Sequence, residues 1–285
     1  MTKHGCKNIE DIRSKLKTGE IRLDRNQKIG VDCYEDFQEK MHRDEVEKIG
    51  EIVYGAARDY LSSQETEKDK LRISIMGSYR RGKQTCGDVD VLITHTDFDD
   101  EVPATFLGGV VEKLMKAGHI THHLTYICGM DKGGYNREWG MPPKEKGLKT
   151  SCSSWMGVFG SPLYPGKRRR VDIKFYPHRE RVFAELYFTG SGHFNRSMRL
   201  YADRKKGLKL TDKGLFYRDK YSTRVTDLDP KNEKEVFEYL GLKWTPPHER
   251  DCFDAVVADN GEYVDMSEES SSFRDYEDED EKWIE

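Results

Sequence analysis

No stretch of the sequence is apolar for long enough to cross a bilayer, which takes about 20 residues, and the opening MTKHGCKN holds no apolar segment of the kind a secretion signal needs. No membrane partner is expected. Cysteine is scarce and dispersed: the six stand at 6, 33, 86, 128, 152 and 252, with no Cys-x-x-Cys pair. That spacing fits reduced thiols in an intracellular chain and excludes both a disulfide framework and a cysteine-built zinc site. The adjacent His122 and His123 have no further ligand at metal-binding spacing and read as strand or surface residues. There is no internal repeat. What is plentiful is charge: 35% of the residues are Asp, Glu, Lys or Arg, as many as are hydrophobic. The chain is therefore strongly polar, yet its 285 residues are enough to bury a core and form two or three subdomains.

The near-balance of charge hides an asymmetry. From Gly261 onward eleven acidic residues face only Arg274 and Lys282, so the preceding body is net basic although the whole chain carries −4. Arginines bunch in GSYRRGK, PGKRRR and FNRSMR, a distribution suited to a phosphate-rich partner. The final segment from Asp265, DMSEESSSFRDYEDEDEKWIE, has too few apolar residues to fold alone and is expected to be disordered.

Apolar residues at 46, 49, 52, 53, 56, 57 and 60 recur at helical spacing and predict a helix over 43–61. A polar connector, SSQETEKDK, leads into a strand at LRISIMG, and a second helix is expected from Thr105 to Lys116, stopped by Gly118. The run DVDVLIT predicts a short strand, as does RRVDIKFYP at 169–177. Helices are expected at 178–187, 194–204 and 231–240, the last started by Asp229-Pro230 and stopped by Gly241.

Gly77 to Lys83 fits the first seven positions of a P-loop, G-x-x-x-x-G-K, but position 84 is Gln where a hydroxyl must reach Mg²⁺. A P-loop also needs a helix directly after it, and here a strand follows. On such a strand Asp88 and Asp90 share one face while Val89 and Val91 enter the core. Two carboxylates so close repel unless something positive lies between them, and hard divalent cations with oxygen ligands serve that purpose. A third acid, Asp172, sits between Val171 and Ile173 on the later strand. Three carboxylates beside a Gly-Ser turn and two arginines are what two-metal phosphoryl transfer requires.

GSYRRGKQTCGDVDVLITH, RRVDI and LYFTGSGHFNRSMR resemble the active-site motifs of the family X DNA polymerases. The first motif alone would fit the wider nucleotidyltransferase superfamily; the YFTGS…FNR…MR run is far more specific. NIEDIRSKL, IGVDCYEDFQEKMHRDEV and EKEVFEYLGLKWTPPHERD extend the resemblance over nearly all of residues 5–251. It implies an α/β (α+β) nucleotidyltransferase palm with a mixed β-sheet flanked by helical subdomains. The expected division is a partial helix-hairpin-helix at 1–39, the palm at 40–178, a nucleotide- and template-contacting part at 179–252, and the acidic tail at 253–285.

By position, the resemblance implies that Asp88 and Asp90 bridge two Mg²⁺ ions, for which Mn²⁺ can substitute, and that Asp172 binds the catalytic ion near the primer 3′-hydroxyl. Ser78, Arg81 and the amide of Gly87 match triphosphate contacts, with Lys40 standing where an arginine is expected. Tyr187 and Phe188 match residues packed on the incoming sugar, and Gly190 belongs to the same nucleotide-contacting run. Asn195 matches a minor-groove contact to the incoming base, Arg196 and Arg199 match template contacts, and Arg170 matches a residue at the primer terminus. The expected partners are dNTP and gapped or primer-template DNA, and a eukaryotic source would imply the nucleus.

Departures from the family pattern set further expectations. The chain starts too late for a lyase domain, and GCKNIEDIRSKL resembles only the second half of a helix-hairpin-helix. Lys40 is a poorer planar phosphate clamp than arginine, and Gly192 lacks a side chain to touch the nucleotide. The segment 129–151 is long for a connection between palm strands, which raises template-tolerant end joining as an alternative. The acidic tail reads as solubilising, with contact to the basic cleft or to a repair protein as alternatives. The rival functions are a terminal transferase or other nucleotidyltransferase and a non-catalytic DNA-end binding module; three close acids disfavour the last.

Overall fold

The computed structural model describes residues 5–127, 150–151, 153–219, 221–251 and 256–261; of the long connection expected at 129–151 all but 150–151 lies outside them, as does the segment from Asp265 that was expected to be disordered. The chain divides into two compact units, Met1–Thr189 and Gly190–Glu285. The first opens with helices α1 (Ile9–Thr18), α2 (Arg25–Asp32) and α3 (Tyr34–Gln38). Strand β1 (Met41–His42), helix α4 (Arg43–Ser63) and strand β2 (Leu71–Ile75) follow, and then helix α5 (Gly77–Arg80), β3 (Thr85–Cys86) and β4 (Val89–His95). Helix α6 (Phe106–Lys116), the strands β5 (Ile120–His123), β6 (Tyr126–Ile127), β7 (Thr150–Ser151), β8 (Ser154–Gly160) and β9 (Arg168–Phe175), and helix α7 (Arg181–Thr189) complete it.

Five of these strands form one mixed sheet in the order β2-β4-β9-β8-β5. Only β4 and β9 run parallel; the other neighbours are antiparallel. The period-2 pattern explains the faces of β9: Val171, Ile173 and Phe175 are buried on one side, and Arg170, Asp172 and Lys174 alternate with them. On the apolar side α4 and α6 pack. Val46, Ile49, Val53, Ala57 and Leu61 of α4 are all buried at three- and four-residue spacing, beside Phe106, Val110 and Leu114 of α6. Phe175 meets Phe106 at a ring-centre distance of 4.3 Å at the middle of this core. The opposite face is covered in part by α7, through a cluster of Met76, Leu92 and Ala184.

Arg169 lies on the apolar side of β9 and is almost fully buried. A guanidinium there needs partners, and they come from α4 and from the chain before it. Glu45 takes Nε at 2.7 Å and Nη2 at 3.2 Å, and Nη1 donates to the carbonyls of Asp36 and Glu39. Ser161 Oγ also donates to Glu45 Oε1.

The second unit holds α8 (Gly192–Lys206), the hairpin of β10 (Leu208–Leu210) and β11 (Leu215–Tyr217), and α9 (Glu233–Leu240). Ser191 caps α8 by accepting from Phe194 N, and Gly207 ends it in the left-handed region at φ 64°. Helix α9 starts later than Asp229-Pro230 suggests. Its cap is Asn232, whose extended backbone lets the side chain accept from Glu235 N, so the helix begins where the first orphan amides are satisfied. Arg250 is fully buried among Phe194, Phe237 and Trp244, pairs with Glu233 at 3.0 Å, and accepts at its carbonyl from Ser191 N. No helix among the described residues is long and apolar enough to cross a membrane.

Candidate active site

The expected strand LRISIMG ends at Ile75 because the chain turns at Gly77, whose φ of +57° suits only glycine. A Cβ there would also collide with Asp90 Oδ2. The turn is thus pressed against the carboxylate, and Met76 N donates to Asp90 O at 2.8 Å to hold it. After one helical turn the chain passes into β3, which pairs with β1 in the register Met41 to Cys86. No helix follows Lys83, as the rejection of the P-loop requires. Continuing the register past Met41 and Cys86 sets the exposed Lys40 against the exposed Gly87.

Asp90 and Asp172 are direct partners across the parallel β4–β9 pair. Burial pushes the Asp90 carboxyl up, and the neighbouring Asp172 charge pushes it further; Lys174 and Arg81 oppose the shift. Burial likewise raises Asp172, against the pull of Arg170 and Lys174. Asp172 Oδ1 is buried and accepts no hydrogen bond. Two adjacent oxygen-only acids, one with an orphaned buried oxygen, form a donor set that fits a hard divalent cation.

Asp88 behaves differently. It precedes β4 instead of lying within it, and its carboxylate accepts from Arg170 Nη2. The structure therefore brings Asp90 and Asp172 together and holds Asp88 on Arg170. Among the described residues no three His, Cys, Asp or Glu side chains assemble at metal-binding spacing.

Ser78 and Arg81 lie on the turn beside Asp90, and the arginines of this turn reach α7. Arg81 Nη1 donates to Thr189 O at 2.6 Å, and Arg80 Nη1 donates to Thr189 Oγ1. Tyr187 and Phe188 stand on that same helix with their rings edge to face at 4.9 Å. Phe188 also packs edge-on to Tyr176 at 5.6 Å. In the second unit Asn195, Arg196 and Arg199 share the part-exposed face of α8, opposite buried Phe194, Met198 and Tyr201. Gly190, also in that unit, adopts φ 66° just before the Ser191 cap.

Lys174 was not singled out by sequence reading. It lies two residues beyond Asp172 and so on the same face of β9, where its charge acts on both carboxyls, and its Nζ donates to Ser154 Oγ at 2.6 Å. The two-residue spacing was the available signal. Thr189 was missed as well, since a threonine at a helix end carries no chemical signature.

A mixed sheet that presents paired acids next to a Gly-Ser turn with two arginines has the palm architecture of the nucleotidyltransferases. The family profile for the DNA polymerase beta palm matches residues 40–178, and that for the DNA polymerase beta thumb matches 184–251. DNA polymerase lambda of Arabidopsis thaliana is 30% identical over 254 residues, covering 86% of this chain and 42% of that protein. DNA polymerase lambda of Rattus norvegicus is 34% identical over 253 residues, covering 87% and 38%. The chain belongs to the family X DNA polymerases, whose members depend on metal ions. It spans less than half the length of these relatives.

Proposed function

We propose that this chain is the catalytic part of a template-directed DNA polymerase that fills short gaps during DNA repair. It adds a deoxynucleotide to a primer 3′-hydroxyl and releases pyrophosphate. The observation that carries this reading is the juxtaposition of Asp90 and Asp172 across β4 and β9, with Asp172 Oδ1 buried and unpartnered. Asp90 and Asp172, with Asp88, would hold divalent cations; Mg²⁺ is the proposed ion and Mn²⁺ its substitute. Bound there, such ions lower the pKa of an attacking hydroxyl and neutralise a triphosphate.

The remaining roles belong to the chain itself. Ser78, Arg81 and the Gly87 amide hold the triphosphate, with Lys40 adding charge from across the β1–β3 pair. Tyr187 and Phe188 form a rigid aromatic wall for the sugar, and Gly190 is a further nucleotide contact. Arg170, released from Asp88, meets the primer terminus. On α8, Asn195 reads the minor-groove edge of the incoming base, where acceptors are common to all base pairs, so geometry is checked without a sequence preference. Arg196 and Arg199 grip template phosphates. A nuclear location and a repair partner for the acidic tail belong to the same reading.

The test is primer extension on one-nucleotide-gapped duplex and on single-stranded primer, with each dNTP and with Mg²⁺ or Mn²⁺. Extension by the complementary dNTP alone, reduced at least about a thousandfold in Asp172→Asn, is the expected result. Untemplated addition to the single strand would favour a terminal transferase, and no incorporation on either substrate would leave a DNA-end binding module.

A further inference from the structure

Arg43, the first residue of α4, is not among the residues that the resemblance places in the active site. Its guanidinium carbon nevertheless stands 3.7 Å from the ring centre of Tyr79, within the GSYRRGK turn. The same side chain donates through Nη1 to two carbonyls of that turn, Tyr79 O at 2.9 Å and Lys83 O at 3.1 Å. These carbonyls bracket Arg80, Arg81 and Gly82. The turn is closed internally as well, by Lys83 N donating to Ser78 O and Gly82 N to Tyr79 O. One turn further along α4, Glu47 accepts from the Tyr79 hydroxyl at 2.7 Å. Residues four apart on a helix face the same way, so α4 holds the ring from the guanidinium above its face and from the carboxylate at its hydroxyl. The other side of the turn is fastened to α7 through Thr189.

We infer that Arg43 and Tyr79 are positioning residues for nucleotide binding: the stacked guanidinium fixes the shape of the turn so that Ser78 and Arg81 meet the triphosphate together. This rests on the reading of Ser78 and Arg81 as triphosphate contacts. The role demands arginine. A lysine supplies the charge and donors for both carbonyls, which Nη1 alone reaches here, but it has no planar face to stack on the Tyr79 ring. A turn displaced by an ångström weakens contacts that ground state and transition state share, so the loss falls on nucleotide affinity more than on turnover.

The experiment compares the full chain with Arg43→Ala, Arg43→Lys, Tyr79→Phe and Tyr79→Leu, with Ser78→Ala and Arg81→Ala as controls for the underlying reading. Steady-state insertion into a one-nucleotide gap gives KM for dNTP and kcat. Equilibrium binding of dNTP to the complex with a dideoxy-terminated primer gives Kd, and melting gives Tm. Arg43→Ala and Arg43→Lys are expected to raise KM and Kd for dNTP about tenfold or more while kcat stays within about threefold. Affinity for gapped DNA and Tm should hold. Tyr79→Phe, which keeps the ring, should stay within about threefold, and Tyr79→Leu should resemble Arg43→Ala. If the controls raise KM and the Arg43 variants do not, the positioning role is wrong. An equal fall in Tm, kcat and DNA affinity across the Arg43 and Tyr79 variants would show a structural brace only and overturn it too. If Ser78→Ala and Arg81→Ala leave KM unchanged, the triphosphate reading itself fails and the inference falls with it.

Discussion

His123 sits on β5 with its ring edge-on to Trp155, whose Nε1 donates to His123 Nδ1 at 2.9 Å. The ring must be neutral to accept there. Burial, with the nearby Arg25 charge and then His122, holds its pKa down at about 4. An unfolded histidine titrates near 6.5. Above that value neither state binds the proton and this residue leaves stability unchanged. As pH falls from about 6.5 to about 4 the unfolded chain takes up a proton that the native one refuses. Stability then drops by up to about 3 kcal/mol in total. Urea unfolding at pH 7.5 and 4.5 should show this loss, and His123→Gln should show a smaller one. Parallel losses in both proteins would assign the effect to the carboxyl groups instead. At this scale the sequence was readable where chemistry is local: Asp90, Asp172 and the turn at Gly77 were visible as residue types in a pattern. His123 was readable only as a strand residue, because its partner lies 32 positions away and no spacing rule connects them.

Element by element, the helices α4, α6 and α7 and the strands β2, β4 and β9 follow from period and composition, since burying one face imposes that period. The short helices α2, α3 and α5 carry too few turns to show a period and were not read, and two further things escaped. The pairing of β4 with β9, and hence Asp90 opposite Asp172, depends on which strands meet, and strand composition leaves that open. The PGKRRR cluster was read as suited to a phosphate-rich partner, yet its second arginine, Arg169, faces the core and forms a buried pair with Glu45. That pair ties β9, α4 and the carbonyls just before Lys40 into one joint. Glu45→Ala would strand the guanidinium without its counter-charge and should cost about 3–5 kcal/mol by chemical denaturation. The paired replacement Glu45→Leu with Arg169→Met removes both charges and should cost clearly less. If single and double variants lose equally, the joint works by packing and its charges are incidental.

For the molecule as a whole, the contrast between basic body and acidic end sets the expectation for DNA binding. Ending the chain after Gly261 removes eleven acidic and two basic residues and turns a net charge of −4 positive. On the polymerase reading, the shortened protein should bind gapped DNA more tightly at about 50 mM salt, with the advantage fading as ions screen the charges toward about 0.5 M. Equal affinity at all salt concentrations would leave the tail with a solubilising role alone. The parallel pairing at the centre of the first unit carries a last implication. Along its reactive face β9 reads cation, anion, cation at Arg170, Asp172 and Lys174, and Asp90 lies opposite the anion. A mispairing by two residues in either direction would match Asp90 with a positive partner. Bare electrostatics thus prefers the wrong alignments, and the apolar residues on the other face must overrule it during folding. A chain that settled into the easier alignment would have quenched the acid pair that marks the native one, so on the polymerase reading cation binding would certify that the sheet was assembled in register.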